Sequence, residues 1–364
     1  MHVHARRPQA GHVHRHIRAA RRLRIGRGDP GRGAEPAAGG TALTCAEATR
    51  SFAPVRAVWR GLLGRLPWST IFMTPEWQEA WWEEFGRDDE LRLITVGPPD
   101  APLGLAPLQL SSGRITFVGG TDLFDYHDFI APDPAFYFEL FDCLESEPWR
   151  TMELSSVPEW SPTCTLLPQA ARERGYAIVI EEEDVVPGVT LPESWDAYLA
   201  GLRKKDRHEL RRKLRRLESA GQVRVRLADA ETLERDLALF QEVMAESRAE
   251  KREFLSPARE AFFQRMTDRM FEAGHLRLFL LEVGDDPAAA AVLSFDYAGR
   301  RLLYNSGYRH GYDHLATGLM LKALCIKDAI ESGLTYFDLL RGAEHYKYHL
   351  GAVDGRIHRI VVTR

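Results

Sequence analysis

Phe337-Asp338-Leu339-Leu340-Arg341-Gly342-Ala343-Glu344-His345-Tyr346-Lys347-Tyr348-His349-Leu350-Gly351 is the most informative segment of the chain. It begins inside a short apolar segment, residues 335–340, that reads as a strand. It then sets Asp338, Arg341, Glu344 and Lys347 close together. A buried strand ending in closely spaced opposite charges is costly unless the charges pair or take part in chemistry. From the residues alone both readings stay open. A Tyr-rich strand at 301–308 and a helix at 318–332 precede it. Strand, loop, helix, strand and charged loop is an order that can hold a ligand as well as a core.

A similar order of elements occurs once before. Thr74-Pro75-Glu76-Trp77 offers a helix N-cap with Pro at the first helical position. Strands are expected at 91–96, 103–110 and 114–118, a helix at 135–144, a strand at 151–155, a helix at 163–174 and a strand at 176–181. The second half repeats this with helices at 233–247 and 257–273, strands at 275–283, 289–297 and 301–308, the 318–332 helix, and strands at 335–340 and 357–362. Asp125-Tyr126-His127-Asp128 stands where Gly311-Tyr312-Asp313-His314 stands later. A period of roughly 185 residues points to a duplicated α/β unit rather than a solenoid, whose periods run about 20–50.

Composition sets the limits. At 364 residues the chain can bury two cores of ordinary size, and 45% apolar with 27% charged residues is the balance of a soluble globular protein. The net charge of −4 gives no case for a dedicated nucleic-acid binder. Residues 1–40, however, carry nine Arg against Asp29 and Glu35, a local charge of +7. With Gly, Pro, Ala and five His and almost no periodic apolar position, residues 1–50 read as a disordered basic tail. No apolar run follows the positive residues, so this is not a secretory signal, and no segment approaches the ~20 apolar residues of a membrane span. The four Cys are scattered without metal-ligand spacing, which fits a reducing cytoplasm and no metal site.

Between the halves, residues 194–221 form a basic helical segment. Leu210, Leu214 and Leu217 share one face, while Arg203, Lys204, Lys205, Arg207, Arg211, Arg212, Lys213, Arg215 and Arg216 take the rest. Such a helix is either a solvated one whose long side chains cover apolar surface or a contact for a polyanion, with tRNA as the candidate.

Taken in order, Phe72–Trp77, Pro107-Leu108, Val118-Gly119-Gly120, Asp125–Phe129, Lys204–Leu217, Arg248–Phe254, Tyr304–Tyr308 and Asp338–Lys347 resemble the CelD-like group of GNAT-superfamily acyltransferases. That group is related to the Fem-type peptidoglycan aminoacyl transferases. The resemblance spans residues 72 to about 350, and Arg341 to Lys347 is its strongest segment. It implies an α/β (α+β) fold: a tandem pair of GNAT-like units, each a mixed, mostly antiparallel sheet flanked by helices. The units are expected at 51–190 and 191–364.

The resemblance also implies chemistry, in which an amine attacks an acyl thioester or ester. Acetyl-CoA or another acyl-CoA is the expected donor, lying where the 301–308 and 335–340 strands splay, with its phosphates at the start of the next helix. Ala316-Thr317-Gly318 stands where the family shows Ser-Pro-Gly, and neither half has the Gly-rich loop of ordinary CoA-binding members. Glu344 is the expected base or amine-orienting carboxylate, with Asp338 second and Tyr346 or Tyr304 as the proton donor to the leaving thiolate. Tyr304, Ser306, Thr317, Gly318, Arg341 and Lys347 are the expected donor-binding residues. Asp125, Tyr126 and Asp128 are expected to bind the acceptor, a small amine or amino sugar. Each carries a structural alternative: an ion pair for Glu344 and Lys347, turn capping for Asp125 and Asp128. Two further readings remain: a Fem-type transferase using aminoacyl-tRNA, and a non-catalytic binding or scaffold subunit.

Overall fold

Residues 48–86 and 89–364 are described by a computed structural model. The basic tail expected at 1–50 lies, up to residue 47, outside the described residues. Helices α1 (Arg56–Leu63) and α2 (Pro75–Phe85) come first. The start of α2 follows from its sequence: the Thr74 hydroxyl accepts from the Trp77 N–H, and Pro75 fills the first turn.

Strands β1 (Glu90–Val96), β2 (Gly104–Ser111) and β3 (Arg114–Phe117) then run antiparallel. Helix α3 (Phe136–Cys143) crosses to β4 (Thr151–Pro158), which is parallel to β3, and α4 (Thr163–Glu173) leads into β5 (Ala177–Thr190). Next come α5 (Trp195–Gly201), α6 (Lys204–Glu218), β6 (Val223–Leu227), α7 (Leu233–Ser247), α8 (Ala249–Phe254) and α9 (Pro257–Glu272). The pattern then returns. Strands β7 (Leu276–Val283), β8 (Asp286–Tyr297) and β9 (Arg300–Tyr308) are antiparallel, α10 (Thr317–Glu331) crosses over, and β10 (Tyr336–Asp338) lies parallel to β9. Helix α11 (His345–His349) and β11 (Val353–Thr363) close the chain.

All eleven strands form one sheet, in the order β1-β2-β3-β4-β11-β5-β10-β9-β8-β7-β6. Strands β7 to β11 repeat β1 to β5, and their last members are exchanged. Strand β5 pairs with β10 of the second half, and β11 pairs with β4 of the first. The two also pair with each other along most of their lengths. The core is shared in the same way. Trp77 and Phe124 from the first half meet Phe262, Phe295 and Tyr304 from the second in a set of edge-on ring contacts around Trp77.

Three expected boundaries move, each for a local reason. Strand β5 runs to Thr190 rather than 181, because its far end is held by β10 and β11. The charged run Glu181–Asp184 hides that pairing in the sequence. The single basic helix at 194–221 is two, broken where Leu202 and Arg203 turn extended (ψ 149° and 141°). The strand at 335–340 shrinks to β10, since Leu340 adopts φ +59°, outside any strand. Among the described residues, no helix is long and apolar enough to cross a membrane, and no group of three or more His, Cys, Asp or Glu is placed to hold a metal ion.

Candidate functional site

Strands β9 and β10 lie side by side for only three pairs, Tyr336–Arg300, Phe337–Arg301 and Asp338–Leu302. Beyond them β9 continues to Tyr308 while the chain after β10 turns away. The opening is a cavity of about 360 Å³. Ser306 and Tyr308 of β9, residues 316–319 and Lys322 of α10, and Glu344 and Tyr346 of the following loop wall it. Lys213 of α6, Asp313, and Ser247, Arg248 and Lys251 around the α7–α8 junction close the other sides. Gly307 is what lets α7 come this close: a Cβ there would sit 2.4 Å from the Met244 nitrogen.

The cavity is electropositive. Ala316, in the left-handed region at φ +55°, starts α10, and no side chain caps the first turn. Its orphan N–H groups and the helix dipole therefore favour an anion there. Thr317, expected to bind the donor, donates its hydroxyl to the Ala289 carbonyl (3.4 Å). Gly318 packs on Tyr308, where a Cβ would lie 2.9 Å from the ring.

Lys251 donates to Asn305 Oδ1 (2.8 Å) and to the Ser306 carbonyl. Burial, with Arg248 beside it, brings its pKa down to about 8. Lys322 is 7% exposed, donates to the Gly318 carbonyl at 3.3 Å and lies 5.0 Å from the centre of the Tyr346 ring. Burial and the charges of Lys251 and Arg248 bring it down to about 7.

The loop after β10 is built around Lys347. Its ammonium, 2% exposed, donates to the carbonyls of Leu340 (2.9 Å), Arg341 (2.7 Å) and Gly342 (2.9 Å) and pairs with Glu344 at 2.9 Å. Its three protons are shared among three carbonyls and Glu344, which leaves none for a phosphate, so the expected donor-binding role of Lys347 is not supported. It is the clasp that shapes the loop and presents Glu344 to the cavity. Partial burial raises the Glu344 pKa, but the hydrogen bond and charge of Lys347 outweigh it, and the carboxylate is held below its ordinary range. Burial pushes the Tyr346 hydroxyl well up, so it keeps its proton.

Other expected site residues lie elsewhere. Arg341 donates to Glu183 (2.9 Å) and Ser156 (2.5 Å) of the first half, and its own N–H goes to Asp125 (3.1 Å). Asp338 is buried, accepting from the Tyr126 hydroxyl (2.9 Å) and the Leu340 N–H (2.9 Å); burial pushes it up to about 6. The Tyr304 hydroxyl is spent on the Leu123 carbonyl (3.2 Å), with its ring in the aromatic core. Asp128 is buried too, accepting from Thr163 (2.5 Å) and the Phe129 N–H (2.9 Å), and burial raises it to about 6.

Asp125, Tyr126 and Asp128 therefore do not line the cavity. They belong to a segment that fills the equivalent gap of the first half. There β3 and β4 pair only at Arg114–Thr151 and Ile115–Met152. His127 then donates its N–H to Ser156 of β4 (3.0 Å) and stacks its ring on Phe117 of β3 and on Phe124. Of the expected set, the structure gathers Glu344, Tyr346, Ser306, Thr317 and Gly318 at the open gap. It adds Arg248, Lys251 and Lys322, which were not expected as site residues, and Lys213, expected only as part of the basic helix. Lys322 had a signal: it interrupts the apolar run Met320, Leu321, Ala323, Cys325.

Comparison with known proteins agrees with this geometry. Residues 204–348, which hold the whole cavity, match a family described as an acetyltransferase (GNAT) domain. Among solved structures, the chain is similar to FemX at 13% identity and a TM-score of 0.61, over 84% of this chain and 95% of that one. It is also similar to the C-terminal domain of a putative lysylphosphatidylglycerol synthetase from Agrobacterium fabrum (9% identity, TM-score 0.55, 85% and 92% covered). A conserved protein of unknown function from Bacteroides thetaiotaomicron follows (13%, TM-score 0.52, 79% and 90% covered). No curated protein matches the chain. The chain shares the fold of FemX, and residues 204–348 are similar to an acetyltransferase (GNAT) domain.

Proposed function

We propose that the protein transfers an acyl group from acyl-CoA to the amine of a small molecule or amino sugar, using the gap between β9 and β10. The observation that carries this reading is the gathering of Arg248, Lys251, Lys322 and Lys213 at the uncapped start of α10. Arg248, Lys251 and Lys322 make no ion pair among the described residues, and cations so placed at a helix N-terminus favour a phosphate-bearing ligand. The cavity also falls within the range of about 300–1,000 Å³ of ordinary small-molecule sites.

In this reading the chain's residues divide the work. Lys213, Arg248, Lys251 and the α10 N–H groups hold the phosphates. Glu344, ionised and half-exposed at the wall, holds the incoming ammonium and takes up its proton. Tyr346, which keeps its proton, supplies one to the leaving thiolate. Lys347 positions Glu344, and the Asp338–Tyr126 and Arg341–Glu183 contacts fix the loop against the first half. The reaction is placed in envelope or exopolysaccharide metabolism of the cytoplasm, as the CelD-like resemblance suggests.

A second reading is favoured by one observation. Lys204, Lys205, Arg211 and Arg215 of α6 are exposed and make no ion pair among the described residues, and Lys213 of the same helix reaches the cavity wall. An aminoacyl-tRNA donor would use that stripe. Thermal stabilisation by acetyl-CoA, about 2.7 kcal/mol at one hundred times its dissociation constant, supports the first reading. Salt-sensitive tRNA binding that is lost on reversing Arg211, Arg212 and Lys213 supports the second. Unchanged complementation of a deletion strain by Glu344→Gln contradicts catalysis at this loop.

A further inference from the structure

Four lysines stand in or beside the cavity, and their surroundings differ. Lys347 has its protons divided among three carbonyls and Glu344. Lys251 is held by Asn305 and the Ser306 carbonyl. Lys213 shares Glu209 with Arg212 at the outer wall (3.5 Å). Lys322 alone is both deeply buried and without a carboxylate within ion-pair distance among the described residues. Its one hydrogen bond there is long, 3.3 Å to the Gly318 carbonyl in its own helix, and its other neighbour is the face of Tyr346. An amine desolvated beside other cations is in the setting that makes lysine a nucleophile.

We propose that Lys322 is a self-acylation site: its amine, facing the cavity, attacks the carbonyl of a bound acyl thioester. This rests on the acyl-donor reading of the cavity. A C–N bond forms, the C–S bond breaks, and the proton lost by the amine ends on the departing thiol. The products are an amide on Lys322 and a free thiol. No oxidant or further reactant is needed. Burial, with Lys251 and Arg248 close by, lowers the pKa to about 7, so near neutral pH much of the amine is already free of its extra proton. The amide is stable, so the product is a modified enzyme and not an intermediate. It replaces one of the cavity's cations by a neutral group, and acylation therefore lowers donor affinity and limits itself.

The test uses the full chain, incubated with acetyl-CoA and followed by intact-mass and peptide-level mass spectrometry. Acetyl-CoA binding is measured separately by thermal shift. The expected result is one acetyl group on Lys322, appearing at least about tenfold faster than on the exposed Lys204 and Lys205. Lys322→Arg removes that product. Excess CoA lacking an acyl group slows labelling of the wild-type chain, a control that needs no variant to fold. A clear acetyl-CoA shift with Lys322 unmodified, or modified no faster than Lys204 and Lys205, overturns the inference and leaves the donor reading standing. No shift and no labelling overturns both.

Discussion

The two halves of this molecule solve the same gap in opposite ways. Each crosses from an antiparallel meander through a helix to a parallel strand, and in each the parallel pairing lasts two or three residues before the strands part. In the first half residues 123–130 enter the gap. The His127 ring is stacked against Phe117 and Phe124, and burial holds its pKa down to about 3, so it stays neutral. In the second half the matching stretch coils as a short 3₁₀ helix, His310–Leu315, and the gap stays open with cations on its walls. A duplicated fold thus carries one filled and one open copy. The filled copy braces the open one, through Tyr126 to Asp338 and Asp125 to Arg341.

Four substitutions probe the difference between the two copies. Lys347→Met breaks the clasp of the open copy. It leaves the carbonyls of Leu340, Arg341 and Gly342 and the Glu344 carboxylate without their donor, and a loss of about 3–5 kcal/mol in denaturant unfolding is expected. Glu344→Gln leaves the loop in place and lowers turnover about 10²-fold with little change in stability, as steady-state rates and melting curves together would show.

Asp338→Asn tests the brace through pH. Burial raises the folded pKa of Asp338 to about 6, so its stabilising contribution is complete below the ordinary carboxylate range and is lost as pH rises through 6. Unfolding free energies measured from pH 4 to pH 7 should fall more steeply for the wild type than for the variant, by on the order of 2 kcal/mol. Parallel curves would assign the pH dependence elsewhere. Lys251→Ala removes one cation from the open copy and should weaken donor binding about tenfold by calorimetry, without a change in the first half.

The duplication, the order of elements and the importance of the 337–351 loop were legible in the sequence. Apolar periodicity and turn residues are local signals, and they survive duplication. The roles of the charges were less legible. Arg341 and Lys347 look like phosphate binders until Glu183, Ser156 and three loop carbonyls are seen to use their protons. Those partners lie across the sheet or on the backbone, where sequence spacing says nothing. Asp125 and Asp128 failed as acceptor ligands for the same reason: only the fold shows that their segment fills a gap. Lys322 sits in an apolar helix, and Lys251 in a short charged one, where nothing in the spacing shows that both face the same gap.

The central claim is that the open gap of the second half binds the acyl donor. Its most direct test is to fill that gap as the first half fills its own. Ser306→Trp places a large ring in the cavity wall, and CoA binding is then followed by calorimetry against the wild type, with unfolding curves confirming an intact fold. The expected result is CoA binding to the wild-type chain and none measurable to Ser306→Trp. Equal binding by a folded Ser306→Trp chain, or none by the wild type, would contradict it.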